Sequence, residues 1–504
     1  MSEIPPDPSA ALNGEAHHRV LTAQLTSRWP EHRVGPSLAR IGALCELLGD
    51  PQHTMPVIQI TGTNGKGSTA IMIDALLRSV GLRTGRFSSP HLTDVRERIS
   101  IDGAPISVER FDEVWEDIAP YVAMVDEQKL DGIPMTFFEV ITGMAYAAFA
   151  DAPVDVAVVE VGMGGRWDAT SVADASVAVF TPISYDHMHI LGDTLTEIAT
   201  EKAGIIKDGS HVVTAGQELE VATVLLRRAT ETGSLVCAEG VDFGLIDRTP
   251  ALGGQVIAVN AGSGPVRDLH LPLYGEHMAH NAALAISAVE TFLGMKALTP
   301  EVIQDGFDQV VAPGRMEVVR TSPTIVLDSA HNPHGAAAVA RTVQEAFTFS
   351  PLIGVFAAMR DKDVRQVLET LEPVMHQIVV TTVASTTRAL TPEELGELAR
   401  EIFGGDRVRV APTMADALEQ ATLIADTLMA EGVDPQLLAG EDAVPPTPGI
   451  LVTGTVIGIG EARGILVPGE RAAGESRTAA RAATTDVAAQ LEIGTTGWGA
   501  EGED

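Results

Sequence analysis

Cysteine is almost missing. Cys45 and Cys237 are the only two, which excludes a disulfide scaffold and fits a reducing, cytoplasmic setting. Positive charge is scarce as well: 34 Lys and Arg stand against 68 Asp and Glu, a formal net charge of −34. That balance argues against general binding to nucleic acid or to anionic membranes, so neither is expected as a partner. Any polyanion site must gather its few cations locally. Long apolar runs are also absent. The most apolar stretch, Ile141 to Val161, is broken by Asp151, Pro153 and Asp155, and reads as a helix followed by a strand, not a membrane span. Met1 to Ala16 has no apolar secretory segment. What is present, 45% apolar and 20% charged residues over 504 positions, suits two or three soluble globular domains.

The organising stretch is Val57-Ile-Gln-Ile-Thr-Gly62-Thr63-Asn64-Gly65-Lys66-Gly67-Ser68-Thr69. A short β-branched run, a glycine-rich turn and the helical spacing of Ala70 to Ser79 predict strand, loop and helix N-terminus. Such a unit cradles phosphate: backbone N–H groups approach the oxygens, the helix dipole favours negative charge, and a lysine neutralises the rest. Lys66 is that lysine. The common P-loop pattern is only partly met, because Ile60 stands where its first Gly belongs and Gly67 where Ser or Thr follows the lysine.

Apolar runs alternate with helical patterns on both sides of this loop. The expected fold is α/β: an N-terminal P-loop-type, mostly parallel sheet domain over 19–312 and a smaller Rossmann-like α/β domain over 313–466. Residues 1–18 and 467–504 are expected to be disordered. Phe243 to Tyr274, with short alternating runs between Gly253-Gly254, Gly262 and Gly264, reads as an antiparallel flap on the main sheet. Pro313-Gly314 is a plausible hinge.

Polar groups fall just past strand ends, where doubly wound sheets place ligands. Glu160 closes one strand and leads into a Gly-rich turn, Gly162 to Thr170; Asp186-His187 follows another; Glu201-Lys202 comes one helix later. Glu160 and Ser89 offer hard oxygens suited to magnesium, and His187 a nitrogen. Asp328 to Pro333 closes the first strand of the second unit. On spacing alone that turn is more simply a helix N-cap than a site.

Taken in order, these stretches resemble the folate branch of the Mur-ligase family, the folylpolyglutamate and dihydrofolate synthases. The resemblance rests on Thr61 to Ser68, Ser89-Pro-His-Leu92, Phe138-Glu139, Glu160 to Thr170 and Asp186-His187. It continues through Leu191 to Thr194, Glu201 to Ile205, His277 with Asn281, Pro313-Gly-Arg315, Asp328 to Pro333 and Asp361-Lys-Asp363. Ser171 and Ser329 stand where that pattern leads one to expect Asn and Gly.

The resemblance implies that Gly62, Thr63, Asn64, Gly65, Lys66, Gly67 and Ser68 hold ATP phosphates, with Lys66 on the transferred end. It implies two Mg2+ ions, one on Ser89 and Glu160 and one on Glu160 and His187, and a carbamylated Lys202 supporting them. Asn281, Arg315, Asp328 and His331 would grip the nucleotide. The implied reaction is ATP-dependent: a carboxylate of folate or dihydropteroate is activated as an acyl phosphate and amidated by L-glutamate. The competing readings are another Mur-type amino-acid ligase and a P-loop NTPase switch. Nothing in the sequence demands more than a monomer.

Overall fold

The structure, a computed structural model, describes residues 8–29, 35–262, 264–431 and 447–468. Its largest sheet has eight strands: β1 (Val57–Thr61), β2 (Thr84–Phe87), β3 (Ile99–Ile101), β4 (Ala104–Pro105), β5 (Val156–Glu160), β6 (Ala175–Phe180), β7 (His211–Thr214) and β8 (Leu235–Ala238). Their order is β4-β3-β2-β5-β1-β6-β7-β8. From β2 to β8 every pairing is parallel, whereas β3 joins β2 antiparallel. The central strands β1 and β5 are buried at every position, as strands covered on both faces must be.

One face packs on the helices Lys66–Ser79 and Glu276–Phe292. The other packs on Ala39–Leu47, Val108–Gln128 and Phe137–Asp151. The last of these starts at a capping box in which Thr136 and Glu139 satisfy each other's backbone N–H, worth about 1 kcal/mol.

The β3–β4 hairpin is absent from the sequence-based reading. Its strands are too short for a pattern, and its one signal is Asp102-Gly103, both at positive φ (50° and 82°), the Asp-Gly pair of a tight hairpin turn. The flap is antiparallel as expected: β9 (Gly244–Ala251), β10 (Gly254–Ala261) and β11 (Gly264–Leu271). It is a separate sheet, however, and does not extend the main one. Its buried Ile257, Val259 and Leu271 join the core around Glu276–Phe292.

Residues 1–7 lie outside the described chain, but Pro8–Thr26 is a helix, so the disorder expected over 1–18 does not hold from Pro8 onward. The helix is anchored by Leu21 and Leu25 in the core and by His18, 2.6 Å from Asp112. The expected tail lies outside the described residues from 469, as do residues 432–446 of the Pro- and acid-rich loop.

The second α/β unit carries β12 (Glu317–Thr321), β13 (Thr324–Leu327), β14 (Phe349–Phe356), β15 (Gln377–Val380), β16 (Val408–Val410) and β17 (Thr447–Thr453). They run in the order β12-β13-β17-β14-β15-β16, with only β12 antiparallel. The carboxyl ends of β1, β5 and β6 in one sheet and of β13 and β14 in the other supply the residues that meet across the cleft.

Candidate active site

The glycine loop turns between β1 and the Lys66–Ser79 helix. Gly62 (φ +149°) and Gly65 (φ +89°) take conformations that suit glycine. A Cβ at Gly65 would come 2.9 Å from the Asn281 amide, so Asn281 lies against the loop. Thr63 is tied to the loop after β6: its N–H donates to the Pro182 carbonyl at 3.0 Å and its hydroxyl to the Ser184 carbonyl at 2.9 Å. Lys66 Nζ turns back to the carbonyls of Gly62 and Thr63, at 3.3 and 3.2 Å. Burial lowers its pKa, against the pull of Glu160 and Asp186.

Lys202 reaches the same loop, donating to the Gly62 carbonyl at 2.8 Å. It is buried, and desolvation, helped by Lys66, brings its pKa down to about 7. Glu160, at the end of β5, has an oxygen 3.4 Å from where a Gly67 Cβ would sit, with Arg315 at 3.8 Å from the same point. The Ser89 N–H donates to Glu160 at 3.2 Å. Burial raises the Glu160 pKa against Lys66 and that hydrogen bond, and among the described residues the carboxylate has no ion pair.

On the other side of the loop lies Asp186. It accepts from Lys362 Nζ at 2.8 Å and from Asn332 Nδ2 at 3.3 Å, with His331 Nε2 at 3.8 Å. His187, in the left-handed region at φ +50°, keeps an uncharged ring: burial and then Lys362 take its pKa to about 4. His331 is lowered to about 4 for the same two reasons. Asp328 is buried and accepts the Met316 and Ala330 N–H groups at 3.0 and 2.9 Å; it turns to its own domain's backbone beside Arg315. A cavity of about 200 Å3 opens between Gly67, Ser89 and Glu160 on one side and Pro313, Arg315 and Ser329 on the other.

Of the site residues named from sequence, Gly67, Ser89, Glu160 and Arg315 line this cavity, Asn281 lies against Gly65, and Lys66 and Lys202 turn to the Gly62 carbonyl. His187 and His331 lie beside Lys362 and Asp186, and Asp328 is turned to the backbone of its own domain. No three His, Cys, Asp or Glu side chains among the described residues converge as a ready-made metal cage. The buried Glu160 carboxylate has Lys66, Arg315 and Arg86 near it but no ion pair among the described residues, and such an oxygen donor would fit a hard cation.

Comparison with known proteins decides the family. Residues 113–289 match the Mur ligase middle domain and residues 314–430 the Mur ligase glutamate ligase domain. The chain is 49% identical over 453 residues to a Mycobacterium tuberculosis dihydrofolate synthase/folylpolyglutamate synthase, covering 87% of this chain and 92% of that one. The chain belongs to the Mur ligase family. Within it, the similarity is to the folate-ligase branch. The M. tuberculosis folylpolyglutamate synthase solved with ADP and AMPPCP superposes with a TM-score of 0.84 at 45% identity, covering 90% of this chain and 99% of that one. An Escherichia coli protein solved in complex with DHPP and ADP gives a TM-score of 0.74 at 26% identity, covering 89% and 97%.

Both departures from the Mur ligase pattern make contacts. Ser171 donates to the Gly165 carbonyl at 2.6 Å and accepts from Gln59 at 3.0 Å, bracing the turn after Glu160. Ser329 accepts from Arg315 at 2.7 Å and donates to Gly314 at 2.9 Å, so its hydroxyl fixes the arginine. Asn332 is the helix N-cap that the spacing of its turn suggests, accepting from the Gly335 N–H at 2.8 Å. The contacts of Lys362 and Asn332 across the cleft were not foreseen from sequence, because those partners are more than a hundred residues away.

Proposed function

We propose that this Mur ligase joins L-glutamate to a folate, and also to dihydropteroate, using ATP and passing through an acyl phosphate. The observation that carries the reading is the meeting at Gly67: the Glu160 carboxylate and the Arg315 guanidinium, from opposite domains, close on the start of the phosphate-loop helix. Loop N–H groups and Lys66 bind the triphosphate and neutralise charge on the transferred phosphoryl. Arg315, set by Ser329, reaches the same region from the second domain. Asn281 and His331 border the nucleotide, and Asp328 holds the Arg315 turn.

In this reading the acceptor carboxylate takes the γ-phosphoryl and ADP leaves. The glutamate amine then attacks the acyl carbon, and phosphate departs as the amide forms. Closure of the second domain about Pro313-Gly314 keeps water from the acyl phosphate. Ser89, Glu160 and His187 are the residues that would hold two Mg2+ ions, which when bound supply charge neutralisation at the phosphates. Lys202, buried with its amine free to lose a proton near neutrality, is suited to carbamylation, which would turn a costly buried cation into an anion able to support bound metal. No helix among the described residues is long and apolar enough to cross a membrane; we place the enzyme in the cytoplasm as a monomer.

The test is ADP release and product analysis with dihydropteroate or reduced folate, each with and without glutamate. Turnover that needs both acceptor and glutamate is expected. ATP hydrolysis indifferent to both would point instead to an NTPase switch.

A further inference from the structure

We infer that Lys362 is a positioning residue: its ion pair with Asp186 is a clasp that holds the C-terminal domain shut on the phosphate loop. Lys362 lies in the loop between β14 and the Val364–Leu371 helix. Every charged neighbour there is committed to its own domain. Arg360 forms a two-pronged pair with Glu394 at 2.8 and 2.7 Å, Asp361 pairs with Arg388 at 2.9 Å, and Asp363 caps the helix through the Gln366 N–H. Lys362 alone of this run crosses the cleft.

The receiving carboxylate is equally fixed. Asp186 Oδ1 accepts the His187 N–H at 2.8 Å as well as Lys362 Nζ at 2.8 Å. Both side chains are only 13% exposed, so the pair is screened less than a surface bridge. Lys362 Nζ also lies 3.4 Å from His187 Nε2, so the clasp orients the imidazole too.

A second strut lies alongside. Asn332, the cap of the Pro333–Ala346 helix, donates to Asn64 Oδ1 at 2.9 Å, and Asn64 donates back to Asn332 Oδ1 at 3.2 Å. Asn64 belongs to the phosphate loop itself. Opening the domain must therefore break a charge pair and a reciprocal amide pair at one place, both bearing on groups that flank the nucleotide.

The proposal rests on the ligase reading for its turnover arm only. Full-length wild type, Lys362→Met, Lys362→Arg, Asp186→Asn and the double variant Lys362→Met/Asp186→Asn are compared by small-angle X-ray scattering and by steady-state ligation. Lys362→Met and Asp186→Asn should each enlarge the radius of gyration and lower kcat roughly tenfold. The double variant should be no worse than the more affected single one, and Lys362→Arg should recover part of the loss. Unchanged dimensions in both single variants, multiplying effects in the double variant, or Arg no better than Met would each overturn the clasp. If wild type failed to ligate glutamate, the proposed function would fall while the scattering arm still tested the clasp.

Discussion

Replacing Lys202 by Met tests the least common feature of the site, a buried lysine ready to react. Met keeps the length of the stem and removes the charge. In the folded protein the amine titrates at about 7, against 10.5 as its ordinary value. Between those limits the unfolded chain holds a proton that the folded chain has released, so stability rises with pH across that window; below it the full cost of burying the ammonium is felt. Integration from roughly pH 7 to roughly pH 9 gives a gain of about 2 kcal/mol for wild type, and none from this site in Lys202→Met. Urea unfolding in CO2-depleted buffer across that range reads the difference directly. Parallel stability profiles for the two proteins would refute the argument. Bicarbonate adds a second reading, because only the neutral amine attacks CO2. Carbamate formation should increase as pH rises through about 7, stabilise wild type alone, and be visible by carbon-13 NMR with labelled bicarbonate. Ligation should be lost in Lys202→Met and partly restored by a short added carboxylate.

Lys66→Ala should keep the fold but cost roughly a hundredfold or more in ligation, measured as kcat beside an unchanged circular dichroism spectrum; near-normal turnover would remove the phosphate role. Glu160→Gln should raise the Mg2+ concentration for half-maximal activity by roughly tenfold or more, and an unaltered metal titration would count against Glu160 as a ligand. Gly65→Ala places a Cβ 2.9 Å from the Asn281 amide at φ +89°; it should destabilise by about 1–3 kcal/mol and weaken ATP binding, read by thermal melting and calorimetry. Because His187 already titrates at about 4, its ring is uncharged from roughly pH 5 to roughly pH 8, and the kcat profile should show no His187 break there. A break in that range that disappears in His187→Gln would contradict the burial argument.

Local pattern carried far in this chain. The β-branched runs, the glycine turn and the alternation of periods announced the strands from Val57 to Phe180 and from Thr324 to Val452, because strands buried on both faces leave continuous apolar runs. The places of Lys66, Glu160 and His187 at or past the ends of β1, β5 and β6 were legible, because continuous apolar runs mark where buried strands stop. Short or locally polar elements were not legible: the β3–β4 hairpin is too brief to show a period, and Pro8–Thr26 is helical where its first half had read as a polar tail.

Sequence by itself determined the class of fold, the phosphate loop and which side chains carry charge near it. Tertiary structure alone decided which charges meet. Lys362 pairs with Asp186, Ser329 steers Arg315, and Lys202 lies dry against the carbonyl of Gly62. The physical reason is distance along the chain. Backbone preference and hydrophobic period act over a few residues, whereas desolvation and Coulomb energy depend on what packs in space, which only the closed pair of sheets fixes.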